Sequence, residues 1–211
     1  MKLCYVADGT SIHIQRWLNY FADTGHEVHL ICWKNANGYH QNVHVHMLEN
    51  LIPRRWYLSK YLNFIYWCVQ VRSLVRTISP DVLDGHYASV YGFIAACADF
   101  HPLVITAWGS DLLVEARSPL GRFMVKYGMK KADSVLCTGP AVLQEILKLG
   151  IAPNKVHSVV LGGINTEQFY PMSNSEVLRN SLNIGTDEPV IISTRHLASI
   201  RTRGATTCTS T

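Results

Sequence analysis

The chain has 211 residues, with 19 Lys and Arg against 15 Asp and Glu, a formal charge of +4 and a pI near 8.7. At 48% hydrophobic and 16% charged residues, it carries enough apolar mass for one full domain and part of another, which excludes a disordered chain. The mild positive balance suits an anionic partner such as a phosphorylated ligand or a membrane surface, and falls far short of a nucleic-acid-binding signature.

The chain opens on a short apolar run, Leu3 to Ala7, closed by Asp8-Gly9. The run is too short for a signal peptide, and nothing later reaches the length of a spanning helix. Apolar residues then recur at Ile14, Trp17, Leu18 and Phe21, the spacing of a helix with one buried face, with Ser11 as expected N-cap and Gly25 as stop. Val28 to Cys32 completes a strand–helix–strand unit, which implies a parallel sheet with a right-handed crossover. In Asn42 to Leu48, Val43, Val45 and Met47 alternate with His44 and His46, the pattern of a half-buried strand.

The rhythm continues. Leu58 to Ile78 reads as a long helix stopped by Ser79-Pro80, Asp81 to Asp84 as a strand ending at Gly85-His86-Tyr87, and Tyr91 to Phe100 as an Ala-rich helix. Pro102 to Trp108 is a buried strand closed by Gly109-Ser110-Asp111. Leu120 to Lys131 is a helix, Ser134 to Thr138 a strand, Val142 to Lys148 a short helix and Val156 to Leu161 a last strand. Strands alternating with helices predict an α/β, doubly wound parallel sheet.

Composition changes near Pro171. The chain is expected to divide into a domain over residues 1–171, a polar linker or short helix over 172–188, and residues 189–211 as the incomplete start of a further domain. That last stretch begins with the apolar run Pro189 to Ser193 and ends in an atypical tail without period from Arg201, the pattern of a truncation or frameshift. The cysteines, Cys4, Cys32, Cys68, Cys97, Cys137 and Cys208, include no C-x-x-C pair. Zinc and thioredoxin-like readings therefore lack support, and free thiols fit a reduced, cytoplasmic compartment.

In a doubly wound sheet, ligands bind beyond the carboxyl ends of the strands. The loops there carry Asp8, Gly9, Ser11 and His13, then His86 and Tyr87, then Gly109, Ser110 and Asp111, then Thr138 and Gly139, and finally Gly162 and Gly163. Gly9 is expected to serve the backbone freedom of its turn. His86, at the carboxyl end of a strand, is the candidate for touching a bound ligand. Asp111 either contacts a ligand or caps a helix, and His13 either lines the first loop or packs at a helix start. No G-x-G-x-x-G, P-loop or G-x-S-x-G elbow is present, which argues against nicotinamide or flavin binding, a P-loop NTPase and a serine hydrolase.

Several segments carry a resemblance. Gly25-His26-Glu27-Val28, Thr106-Ala107-Trp108-Gly109-Ser110-Asp111, Ala132-Asp133-Ser134-Val135 and the run from Lys155 to Pro171 stand in order over the chain. The sequence thereby resembles family-four (glycosyltransferase subfamily 4-like) retaining glycosyltransferases of the GT-B type, in their N-terminal, Rossmann-like half. It departs from their pattern at Trp108, where many relatives have His, and at Leu161, where Asn is common.

The resemblance implies an acceptor-binding domain, a nucleotide-sugar as co-substrate, no metal and no cofactor, and an acceptor glycan or lipid-linked acceptor. Gly9, His13, Asp111 and Thr138 would be acceptor-side, His86 catalytic, and Arg195 a contact to the donor diphosphate. The family's paired donor-side glutamates are absent, since no two glutamates stand eight apart, so the chain alone is expected to be inactive. A non-catalytic, flavodoxin-like binding module for a sugar or phosphorylated ligand is the alternative. Arg122, Lys126 and Lys130 form a basic stripe at helical spacing, and Arg54, Arg55, Trp56 and Tyr57 a basic-aromatic cluster. Either a solvated face or peripheral attachment to an anionic inner membrane surface accounts for them.

Overall fold

The structure, a computed structural model, describes residues 1–34, 36–53, 59–160, 162–171, 175–185 and 187–191. The chain divides into two units, Met1–Gly163 and Ile164–Thr211. Among its described residues the first unit holds seven strands: β1 (Lys2–Val6), β2 (Glu27–Cys32), β3 (Val43–Met47), β4 (Val82–His86), β5 (Leu103–Ala107), β6 (Ser134–Cys137) and β7 (Val156–Ser158). All pair in parallel, in the order β3-β2-β1-β4-β5-β6-β7. The helices between them are α1 (Ile12–Asp23), α2 (Ser59–Ile78), α3 (Val90–Cys97), α4 (Ser110–Leu113), α5 (Pro119–Lys131) and α6 (Pro140–Lys148). In the second unit the described helix is α7 (Ser175–Ser181).

Side-chain alternation on β1 shows how the sheet separates two cores. Leu3, Tyr5 and Ala7 join Ile14, Leu18 and Ala22 of α1, whereas Cys4 and Val6 join the larger cluster with Val71 and Val75 of α2, Ile94 of α3, Met129 of α5 and Ile146 of α6. The chain builds β1, β2 and β3 outward in one direction and then returns to the other side of β1 with β4. The strand order therefore reverses between β1 and β4, where diverging crossovers leave a crevice. The doubly wound, Rossmann-like architecture follows the expectation from sequence. Among the described residues, no helix is long and apolar enough to cross a membrane.

Several local expectations need correction. On β3 only Val43 of the apolar set is buried, while Val45 and Met47 stay 37% and 48% exposed. This edge strand extends past the cover that α1 provides. On its other face His46 Nε2 lies 2.9 Å from His29 Nδ1, and the His44 ring stacks on His29. Ser11 precedes α1 without a side-chain cap, whereas Ser118, not singled out in the sequence, accepts a hydrogen bond from the Gly121 N–H. β4 runs on through His86, and β7 stops at Ser158. The expected strand from Pro189 is not formed over residues 189–191, and Ile192 and Ser193 lie outside the described residues. Helix α4 and a 3-10 turn at Glu115–Arg117 occupy a stretch expected to be loop, since neither is long enough to show a helical period.

Gly25 ends α1 at φ +84, as its C-terminal position requires. Gly85 serves close approach: a Cβ there would stand 2.7 Å from Gly92 Cα and 2.8 Å from Ile105 Cδ1. A Cβ on Gly128 would in turn meet the Gly92 carbonyl oxygen at 3.2 Å. Helix α3 is thus pressed onto β4, and α5 onto α3, backbone to backbone. Gly85→Ala should lower stability by about 1–3 kcal/mol through overpacking, read as a shifted urea midpoint at unchanged slope. Gly139→Ala, where an added Cβ meets nothing within 4 Å, should leave the midpoint near wild type. Equal midpoints for the two variants would refute the close-packing argument.

Candidate functional site

The loops that follow β1, β2, β4 and β5 enclose a cleft of about 590 Å³. Asp8, Ser11, His13 and Ile14 come from the first loop and α1, Trp33 and Lys34 from the end of β2. His86 through Tyr91, apart from Ala88, come from the end of β4 and the start of α3, and Trp108, Ser110 and Glu115 from beyond β5. Trp33, Tyr87, Tyr91 and Trp108 give the walls their aromatic surface.

His86 is the last residue of β4, and its side chain is fully buried. Its Nδ1 lies 3.2 Å from Asp84 Oδ2, and the same Asp84 carboxylate accepts the Thr106 hydroxyl at 3.0 and 3.1 Å. Two residues apart on one strand, Asp84 and His86 share a sheet face, which is why the pair forms. With Nδ1–H donated to a carboxylate, the lone pair of neutral imidazole resides on Nε2. That atom is buried and has no hydrogen-bond partner among the described residues. Rings of Tyr5, Trp17 and Trp108 surround the imidazole.

Asp111 has no exposed surface. Its carboxylate accepts backbone N–H groups from Ala88 at 2.8 Å, Gly109 at 2.8 Å, Leu112 at 3.1 Å and Trp108 at 3.2 Å. Burial raises its pKa, against the lowering effect of these donors. The side chain therefore braces two loops and does not line the cleft. Gly109, at φ +116, makes the turn that brings those N–H groups together. Next to this brace, Glu115 accepts the Tyr87 hydroxyl at 2.8 Å and the Ser89 hydroxyl at 2.5 Å, and Tyr87 Oη also meets Ser110 Oγ at 3.0 Å. Burial pushes the Tyr87 hydroxyl up to about 12. Tyr87 has φ 94, a strained conformation for a bulky residue, held at the cleft by these bonds.

On the opposite wall, Lys34 Nζ reaches Asp8 Oδ2 at 2.5 Å, and Thr10 donates to Asp8 from its N–H and its hydroxyl. Burial raises the Asp8 pKa, but these partners outweigh it and the carboxyl is more acidic than usual. Trp33 stacks between Tyr91 and Trp67, with ring centroids 4.3 and 4.8 Å away.

The structure brings His86 and His13 to the cleft, with the exposed His13 ring 5.2 Å from Trp108. Gly9 lies outside the cleft. Its φ is not in the left-handed region; it is a close-approach glycine, since a Cβ would stand 2.9 Å from both Ala36 Cβ and Cys32 Sγ. Thr138 is exposed and donates to the Trp108 carbonyl at 3.3 Å. Arg122, Lys126 and Lys130 are exposed on α5, away from the cleft. Arg195, Leu161, Cys208 and the Arg54–Tyr57 cluster lie outside the described residues. Sequence reasoning missed Asp84, Glu115, Trp33 and Tyr91 as site residues. Asp84 alone left a signal, as an acidic residue inside an apolar strand. Among the described residues, no group of three or more His, Cys, Asp or Glu is arranged to hold a metal ion.

Residues 2–139 match the glycosyl transferase 4-like family. An uncharacterised glycosyltransferase of Methanocaldococcus jannaschii is 23% identical over 171 residues, 77% of this chain and 45% of that protein. Among solved structures, sucrose-phosphate synthase of Thermosynechococcus elongatus superposes with a TM-score of 0.65 at 16% identity, over 90% of this chain and 54% of that one. Anabaena HepE, solved with UDP-glucose, gives 0.59 at 14% identity, over 87% and 50%. These likenesses share the fold, and the chain spans about half the length of each.

Because Asp8 is more acidic in the fold than in the unfolded chain, its contribution to stability is present above the unfolded pKa near 3.8 and is lost as pH falls below it. Asp8→Asn should therefore melt below wild type at neutral pH, with the gap closing as the pH is taken below 3.8. A gap constant with pH would show that the carboxylate's ionisation plays no part.

Proposed function

The chain belongs to the glycosyl transferase 4-like family, and we propose that its cleft holds the acceptor of a sugar transfer from a nucleotide-sugar. The supporting observation is His86, whose buried Nε2 has no partner among the described residues while Asp84 occupies Nδ1. A buried acceptor atom without a donor is costly, so an O–H donor entering the cleft is strongly favoured there. An acceptor hydroxyl meets that need. In transfer, its oxygen forms the new bond to the anomeric carbon as the bond to the leaving diphosphate breaks, and its proton must leave. In this reading Nε2 takes or holds that proton.

The other groups fit a hydroxyl-rich ring. Trp108 offers an apolar face, the stacked Trp33 and Tyr91 line the cleft beside it, and Glu115, Ser110 and Lys34 offer polar contacts. His13 closes the rim, Asp111 braces the floor from behind, and Thr138 ties the β6 turn to Trp108. Arg195 is assigned to the donor diphosphate, where a cation stabilises the charge that develops on the leaving group. Retention of configuration comes from the family resemblance. His86→Ala should weaken binding of acceptor oligosaccharides at least about tenfold, the size of one lost hydrogen bond to a buried site, measured by calorimetry. Tight binding of a nucleotide-sugar in this cleft, unaffected by His86→Ala, would overturn the assignment and leave a binding module of another kind.

A peripheral location at an anionic, cytoplasmic membrane face is the second part of the reading. Helices α2 and α5 carry Lys60, Arg72, Arg76, Arg122, Lys126, Lys130 and Lys131 and no acidic residue. The same helices expose Tyr61, Ile65, Val69, Leu120 and Phe123, and Phe93 of α3 joins them through ring contacts to Phe64 and Phe123. Cationic and apolar groups on one face match a headgroup layer. The chain should co-sediment with phosphatidylglycerol vesicles and not with phosphatidylcholine vesicles. Replacing Arg122, Lys126 and Lys130 by Glu should abolish this, and equal sedimentation of wild type and variant would refute the reading.

A further inference from the structure

Helices α2 and α3 pack in parallel with their turns in register. Phe64 stacks on Phe93 at 5.7 Å, and further along the same direction Arg72 Nη2 reaches Asp99 Oδ2 at 4.0 Å. One helical turn beyond Phe64 is Cys68, and one turn beyond Phe93 is Cys97, so the contact that lies between the ring stack and the ion pair is the two thiols. Both are free and half-buried, unlike Cys4, Cys32 and Cys137, which are sealed in the sheet. Neither lines the cleft, and the transfer reaction proposed above uses neither.

We propose that Cys68 and Cys97 form a reversible disulfide that clamps α2 to α3 when the chain meets a hydroperoxide. The two thiols divide the roles such a reaction needs. A hydrogen bond from Cys68 lowers the Cys97 pKa against the effect of burial, with nearby Lys131 adding to the lowering. The same hydrogen bond and burial raise that of Cys68. The Lys131 ammonium, held 2.9 Å from Asp99 two residues beyond Cys97, favours a thiolate there, which makes Cys97 the attacking sulfur and Cys68 the resolving one. The Cys97 thiolate attacks the terminal peroxide oxygen, the O–O bond breaks, and an alcohol leaves after taking up a proton, with Cys97 oxidised to the sulfenic acid. The Cys68 sulfur then attacks the sulfenic sulfur, the S–O bond breaks and the S–S bond forms, and hydroxide leaves with the Cys68 proton as water. Two thiols lose two electrons, and the hydroperoxide becomes alcohol and water. An external dithiol reverses the step by exchange.

The clamp acts on a helix whose first turn supplies Val90 and Tyr91 to the cleft. The experiment uses the full chain carrying Cys208→Ser, so that this cysteine cannot take part. Protein is treated with hydrogen peroxide at neutral pH, blocked with N-ethylmaleimide and digested. The expected result is one cross-linked peptide pair joining Cys68 to Cys97, with the intact mass lower by two hydrogens and restored by dithiothreitol. In Cys68→Ser, dimedone should trap a sulfenic acid on Cys97, and in Cys97→Ser the remaining Cys68 should react about tenfold or more slowly than Cys97 does. Full alkylation of both thiols after peroxide, in the unsubstituted Cys68/Cys97 chain, would overturn the proposal whatever the variants do. A cross-link to any other cysteine, or equal reactivity of the two thiols, would overturn it as well.

Discussion

A single carboxylate holds the floor of the cleft together. Asp111 receives N–H groups from the turn after β4 and from the turn after β5, so two loops from different strands share one buried anion. Each donor would otherwise be a backbone group facing a dry interior, and an unpaired buried carboxylate would be costlier still. The arrangement is stable only with all parts present. It fixes Ala88 against Trp108, and thereby sets the spacing of Tyr87, Ser89 and Ser110, which meet at Glu115.

The crevice where strand order reverses gives this brace something to organise. On one side stand the aromatic stack of Trp33 and Tyr91 and the Asp8–Lys34 pair; on the other stand Trp108 and the Glu115 cluster. Asp8 and Glu115 against Lys34 leave the cleft without the excess of positive charge that a phosphate would call for. Aromatic side chains and hydrogen-bonding groups thus share the crevice, in a chain of a glycosyltransferase family.

What could be read from the sequence was set by length and period. Strands and helices long enough to show alternation or a 3.6-residue repeat stood out, and with them the parallel sheet, the helix from Ile12 and the loops that border the cleft. The strand from Val43 showed its alternation but not its coverage, because how far a helix reaches along an edge is a tertiary matter. Helix α4 and the turn at Glu115 were too short to leave a period. His86 was legible by its place at a strand end, yet its partner Asp84 was passed over as one more strand residue. The role of Asp111 depended on backbone groups from a loop 23 residues earlier, which no local pattern encodes. The loop position of Gly9 marks it as special in its turn, but crowding against Cys32 and Ala36, a tertiary contact, is the reason and not conformational freedom.

Beneath the cleft, Gly85, Gly92 and Gly128 let a strand and two helices touch through their main chains. Hydrogen atoms are the only spacers at these levels, so the depth at which α3 sits is a hard stop and not the average of many soft contacts. Since that helix begins at the cleft wall, the width of the opening is gauged from below, by three residues that no ligand can reach. A methyl group added there would act as a shim, lifting the wall without altering a single group that lines the cleft.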